Sequence, residues 1–210
     1  MAQETTNPLQ GTVWQVPLMN DLGYGYVRYI YPTEFNPIAW GILIYIYDYR
    51  SDVSQPKLEV SSFLEKDYLV APIVTFGRPP QRGVNRWIKL GTLPINSFER
   101  IPPDFKLGYG EYPETMSYGV IKDMYPNEVV DKAFDWQEVK HLSVWNHVNL
   151  KVICHRITME WMRKIGLNYF SYTNEGVTVS FLHEQKQQVK STVLWSGVPL
   201  SNRGKVVVSQ

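Results

Sequence analysis

At 210 residues, with 44% hydrophobic and 20% charged residues, the chain has the length and balance of a packed globular core, which excludes a disordered polymer. Its formal net charge of +1 excludes wholesale electrostatic attraction to nucleic acid or anionic lipid. No apolar run approaches the roughly 20 residues that cross a bilayer, since the longest, Ile38 to Tyr47, is bounded by Pro37 and Asp48.

Met1 to Gln10 is polar and lacks the basic and apolar parts of a secretory signal. A single cysteine, Cys154, excludes an intrachain disulfide and a cysteine-based zinc site. A cytoplasmic protein with no membrane partner is expected. Aromatics reach 14%, with 14 Tyr and 7 Trp, and such side chains suit a half-buried pleated surface.

In chain order, Gly11 to Leu18 reads as a strand closed by Pro17. Asn20-Asp21-Leu22-Gly23 has turn composition, and Tyr24 to Tyr31 resumes the β-type run, so the pair reads as a hairpin. Ala39 to Tyr49 is the clearest strand, with Ile42, Ile44 and Ile46 on one parity and Leu43, Tyr45 and Tyr47 on the other. Apolar residues on both faces predict a central strand covered on both sides. Leu58 to Leu64 is ambiguous between a short helix and a strand. Tyr68 to Phe76 and Arg86 to Leu90 read as strands, and Pro94 to Pro113 as an irregular segment wrapping the sheet.

Between Asn146 and Ile165 there is no Gly or Pro, and Val148, Val152, Ile153, Ile157, Trp161 and Ile165 recur at helical spacing. One long helix is predicted there, stopped by Gly166 at its C-cap, with Arg163 and Lys164 in the last turn. Tyr169 to Tyr172 and Val177 to Leu182 flank Asn174-Glu175-Gly176 and read as a second hairpin. Val189 to Leu194 and Lys205 to Val208 are weaker strand readings. The expected fold is α+β, mainly β: a small antiparallel sheet or SH3-like barrel in the first half, then a long helix and a further hairpin. Residues 1–138 form the β-rich part, and 139–210 pack on it.

Charge is unevenly placed. Residues 104–138 carry three basic and eight acidic residues, and residues 139–210 carry nine basic and three acidic. The middle is acidic and the last third basic.

Catalytic constellations are scarce. The four histidines, His141, His147, His155 and His183, include no pair at the spacing that aligns two ligands on one helix face. On one helix His147 and His155 would stand about 12 Å apart, too far to share a metal. Cys154 beside His155 would point about 100° away from it, which favours a buried thiol over a nucleophile–base pair. No nucleophile elbow, phosphate loop or dinucleotide fingerprint is present. No catalytic residue, metal site or cofactor is expected.

The acidic set Glu111, Glu114, Asp123, Glu128, Asp131, Asp135 and Glu138 matches no metal or acid–base spacing. It reads as a solvated face or as a docking surface for a basic partner, since grouped charge steers association. Arg78, Arg82 and Arg86 around Pro79-Pro80 form a small basic patch suited to a phosphate ligand. The tyrosine-rich strands have little basic company, which favours packing over a nucleic-acid stacking platform.

The first half resembles the immunity-protein-26 family, cognate inhibitors of bacterial polymorphic toxin systems. The likeness is carried by Gly11-Thr-Val-Trp14-Gln-Val-Pro17-Leu18, a short turn, and Gly23-Tyr-Gly-Tyr-Val-Arg28. It continues in Trp40 to Tyr47, Arg86-Trp87-Ile88-Lys89-Leu90-Gly91, Pro94-Ile95 and Pro103-Asp104-Phe105. The resemblance implies a compact β-rich, cofactor-free binder that neutralises a toxin, often a nuclease. The charge pattern is compatible with it, since an acidic face such as residues 111–138 could dock on the basic surroundings of a nuclease site. The leading expectation is therefore an immunity or antitoxin-like inhibitor with a protein partner. A nucleic-acid-binding or defence-system accessory module and a structural subunit of a bacterial or phage assembly are the alternatives.

Overall fold

A computed structural model describes residues 7–207. Strands β1 (Thr12–Pro17), β2 (Tyr24–Ile30), β3 (Ile42–Ser51), β4 (Ile73–Phe76), β5 (Ile88–Thr92) and β9 (Val148–Asn149) form a six-stranded sheet in the order β5-β1-β2-β3-β4-β9. Every pairing in it is antiparallel except β4 with β9. Strands β6 (Phe105–Leu107), β7 (Tyr118–Ile121) and β8 (Val129–Phe134) make a second, antiparallel sheet in chain order. Helices α1 (Trp136–Val139), α2 (Ile153–Lys164) and α3 (Val179–Lys190) complete the α+β, mainly β fold. Among the described residues the sheets are open, so of the two expected architectures the antiparallel sheet holds and the barrel does not.

The alternation in β3 decides the layering. Ile42, Ile44 and Ile46 join Trp14, Val16, Val27 and Tyr29 in one core, capped by Ile153, Cys154, Ile157 and Trp161 of α2 and by Leu182 and Val189 of α3. Leu43, Tyr45 and Tyr47 join Val13, Tyr26 and Ile30 in the other, under Phe63, Leu93, Phe105 and Trp195. The central strand is thus covered on both faces, as its two apolar parities require.

On the second face lies a buried ion pair. Arg28 Nε stands 2.5 Å from Glu99 Oε1, with both side chains essentially inaccessible. The Arg28 guanidinium also donates to the carbonyls of Leu93 and Pro94 at 3.2 and 2.6 Å. Glu99 accepts from Tyr68 Oη and, at 2.9 Å, from the Asn96 amide, while Asn96 Oδ1 accepts from the Glu99 amide at 2.8 Å. Irregular chain from 93 to 100 is thereby fixed onto the sheet without strand pairing. Burial, with Glu99 adding to it, raises the pKa of Tyr45 and Tyr68 and keeps both phenols neutral.

The C-terminal third departs from its expected pattern. The helix begins at Ile153 and not at Asn146, because Val148 pairs with Thr75 at the sheet edge and Asn149 Oδ1 closes a turn on the Lys151 amide. Its end follows the sequence: Gly166 at φ 77° donates to Arg163 O, and Leu167 donates to Met162 O. The expected second hairpin is a 3-10 turn at Tyr169–Ser171 followed by α3. Thr178 N-caps α3, its hydroxyl accepting from the Phe181 amide. Helix α3 buries Gln185 and Gln188 beside Leu182 and Val189, so half of its inward face is polar and leaves a weak apolar period. Val189 to Leu194 is the helix end and the chain leaving it, and 205–207 is unpaired with any sheet; Val208 lies outside the described residues.

Leu58 to Leu64 contains a 3-10 turn at Val60–Phe63. Only Ile73–Phe76 of the 68–76 reading is strand, and the strand read at 86–90 runs over Ile88–Thr92. The 94–113 segment is mostly irregular but holds β6.

Two further ionic devices lock the C-terminal helices. Arg156 and Arg163 both pair with Glu160 on α2, and Arg156 also donates to Gln188 of α3. Arg163 donates to the carbonyls of Val189 and Thr192 at the end of α3. Lys106 is fully buried with carbonyl partners only among the described residues, Ser191 O and Val139 O, and stands 4.7 Å over the Trp136 ring. Burial, with smaller contributions from Arg156 and Arg163, lowers its pKa well below the ordinary lysine value.

Two outcomes follow from these buried charges. Glu99→Gln strands the Arg28 charge and should cost about 3 to 5 kcal/mol in urea unfolding; a loss of a few tenths would show that the pair is not the tether described. For Lys106 the unfolded chain binds more protons than the folded one between the depressed pKa and about 10.4. Stability relative to Lys106→Met should therefore rise with pH across that window, and a pH-independent difference in urea melts would refute the burial of a titrating amine.

Candidate partner-binding surface

The second sheet divides the acidic segment between its two ends. Glu111 precedes the 3-10 turn at Pro113–Thr115 and Glu114 lies within it; both are exposed, with the exposed Tyr112 between them. Tyr118 Oη donates to Pro113 O at 2.8 Å, and burial followed by the Glu114 charge pushes its pKa up to about 12. Because Tyr118 pairs with Phe134, the Glu114 turn meets the start of α1. There Asp135 is the N-cap and Glu138 the third helical residue of a capping box, with bonds of 3.1 and 3.0 Å. Glu138 is buried and paired with Lys132 at 3.5 Å, whereas Asp135 remains exposed.

At the opposite end, roughly 10 Å along β7, the β7–β8 turn holds Asp123 and Glu128. Asp123 and Met124 take left-handed φ values of 51° and 60°, an uncommon conformation for residues with side chains. The turn is fixed by the buried Met124 side chain and by Lys205, whose ammonium binds both Asp123 and Asp104. Glu128 is exposed, and Asp131 lies on β8. The other six carboxylates therefore do not converge on one point. Glu111, Glu114 and Asp135 form an exposed group at one end, Glu128 stands at the other, and Asp123 and Glu138 are tied into structure.

The basic patch lies elsewhere, beyond β4. Arg78, Arg82 and Arg86 are all exposed on the loop from Gly77 to Trp87. Arg78 and Arg82 share with Lys151 the wall of a groove of about 560 Å3.

Between the basic loop and the β7–β8 turn runs an aromatic row that sequence reasoning missed. Trp40 and Phe76 are 49% and 39% exposed, high for side chains of this size. Ring centroids are 4.9 Å apart for Trp40–Phe76, 4.7 Å for Trp40–His147, 4.6 Å for Phe76–His147 and 5.2 Å for Trp145–His147. The His147 Nε2 is buried without a hydrogen-bond partner among the described residues, and burial lowers its pKa. The strand expected over Ala39 to Tyr49 includes Trp40, but Gly41 at φ 93° separates Trp40 from β3, which starts at Ile42. A Cβ there would come within 2.9 Å of Val74, so the break needs glycine. That glycine is the signal that could have placed Trp40 at the edge.

Cys154 and His155 do not form a nucleophile–base pair. Cys154 is buried, its thiol pushed up to about 12, and His155 bonds Tyr172 Oη at 2.6 Å. His147 lies in the turn leading to β9, off the helix that carries His155. Among the described residues no three His, Cys, Asp or Glu side chains gather to hold a metal, and no helix is long and apolar enough to cross a membrane.

The exposed features are thus charged loops and aromatic side chains on an open β-rich frame, the equipment of a binding protein. Residues 9–113, half of the chain, match the family described as immunity protein 26, and the chain belongs to that family. This bears out the likeness carried by the strand motifs, and it points to an inhibitor of a toxin, with that toxin as the protein partner. Neither a curated protein nor a solved structure matches the chain. The matched stretch runs from just before β1 to the turn at Pro113, so β4 and β6 lie inside it while their partners β9 and β7 lie outside.

The capping box separates structural from exposed carboxylates. Asp135→Ala or Glu138→Ala should each cost about 1 kcal/mol, whereas Glu111→Ala and Glu114→Ala should stay within about 0.5 kcal/mol of the parent. Thermal or urea melts of the four variants check the division, which equal losses would erase.

Proposed function

We propose that the protein is the cytoplasmic immunity partner of a bacterial polymorphic toxin, and that this toxin is a nuclease. The observation that carries the reading is the family match across residues 9–113. Nucleases act on polyanions and keep cationic surfaces around their sites, so an inhibitor with exposed carboxylates has a complementary surface to cover. The exposed group of Glu111, Glu114 and Asp135, with Tyr112 as an aromatic anchor, is the proposed centre of contact. Exposed Glu128 extends the charge along the second sheet, and Asp131 is the further carboxylate of β8 in this reading. Asp123 and Glu138 shape the surface from within, through Lys205 and the capping box. Inhibition needs no cofactor: a bound acidic surface excludes the substrate by occupying its place and repelling its phosphates.

The test is binding to the toxin encoded beside it, by calorimetry at two salt concentrations, with a nuclease assay in parallel. Glu111→Lys/Glu114→Lys should weaken binding at least tenfold and flatten its salt dependence. Undiminished binding would remove the acidic end as the docking surface. A bound toxin without nuclease activity would remove the nuclease assignment and leave the inhibitor.

A further inference from the structure

We propose that the edge formed by Phe76, His147 and the loop 77–87 is a second binding site, for a short single-stranded nucleic acid. This goes beyond toxin inhibition and uses none of the acidic residues.

Charge gives the first argument. Residues 68–98 and 139–159, which build this edge, contain no Asp or Glu. Arg78, Arg82, Arg86 and Lys151 are exposed, and among the described residues none forms an ion pair. Glu34 faces Arg78 across the neighbouring cleft, where its carboxylate accepts from the Asn7 amide. Among the described residues the other cations meet no carboxylate, in a protein where Arg28, Arg50, Arg156, Arg163, Lys164 and Arg203 all have carboxylate partners.

Geometry gives the second. Phe76 directly precedes Gly77-Arg78, and its pairing with Asn149 brings Lys151 to the far wall of the 560 Å3 groove lined by Arg78, Arg82 and Val84. The groove's wall therefore begins at Arg78, two residues beyond Phe76, whose half-exposed ring is continued by that of Trp40. Unpaired bases stack on aromatic faces while the backbone follows a cationic groove. Gly77 and Gly83, both at positive φ with open space where a Cβ would stand, leave room for close approach to the loop backbone. At its Trp40 end the row meets the β7–β8 turn, where the Trp40 amide donates to Met124 O and Glu128 stands exposed. Phosphates are repelled there, so the bound segment is only a few nucleotides long and lies toward the loop. An acidic peptide could satisfy the cations, but it gives no use to the exposed rings.

Fluorescence anisotropy of a labelled twelve-residue oligothymidylate, titrated with the protein alone, tests this directly. With about four phosphates neutralised, log K should fall with log salt at a slope of roughly −3. Arg78→Glu/Arg82→Glu should abolish binding with an unchanged melting temperature, since both side chains are exposed. Phe76→Ala should weaken it about tenfold or more, and Glu128→Gln should strengthen it. No binding at low salt overturns the proposal. So does binding that responds to the arginines but not to Phe76 and is competed equally by polyglutamate, which would mark a seat for acidic protein instead. Because the toxin is absent, these outcomes stand apart from the inhibitor reading.

Discussion

The contact on which the rest of the architecture depends is the ion pair between Arg28 and Glu99. A six-stranded sheet with two apolar faces needs two covers, and helices are available for only one of them. The other cover is irregular chain, whose amides and carbonyls cannot be buried unpaired. Arg28 rises from the middle of β2 to bind the carbonyls of Leu93 and Pro94 as well as Glu99, and Glu99 returns to the Asn96 amide. Five residues after Glu99, Asp104 repeats the device by accepting from the amides of Asp123 and Val206 and from Lys205. The C-terminal tail and the β7–β8 turn are thus hung from a segment that itself hangs from Arg28.

Much of this was legible in the sequence, and the reason is period. Strands β1, β2 and β3 alternate cleanly because each side chain has only a sheet face to choose. The two parities of β3 accordingly separate into the two cores, Ile42, Ile44 and Ile46 against Leu43, Tyr45 and Tyr47. The end of α2 was legible for a different reason: Gly166 fills a left-handed position that other residues occupy at a cost.

What stayed hidden is polarity turned inward. Helix α3 buries Gln185 and Gln188, the second of which accepts from Arg156 and donates to Glu184, and the two glutamines break the apolar stripe that would have announced a helix. Strands β7 and β8 are short, acidic at their ends and interrupted by a left-handed turn, so their composition resembles loop. Lys106, which sits in the middle of β6, is a charged residue that no pattern would place in a core. The acidic segment was found as a stretch of sequence, but whether a carboxylate in it caps a helix, as Glu138 does, or faces solvent, as Glu114 does, depends on partners distant along the chain.

Pairing between residues distant along the chain also separates the charge of a segment from the charge of a surface. By count the first half is neutral, the middle acidic and the last third basic. Folding reassigns those charges: Lys205 is consumed by Asp104 and Asp123, Arg156 and Arg163 by Glu160, and Arg203 by Asp67. In the neutral half Glu99, Asp48 and Asp67 are spent in ion pairs as well, which leaves Arg78, Arg82 and Arg86 exposed. Three of the four exposed cations at the β4 edge, Arg78, Arg82 and Arg86, therefore come from the stretch whose sum predicts none, and part of the acidic stretch is cancelled by the tail that the sum calls basic. Net charge records how many ionisable groups a segment has; pairing across the fold decides which of them a partner meets.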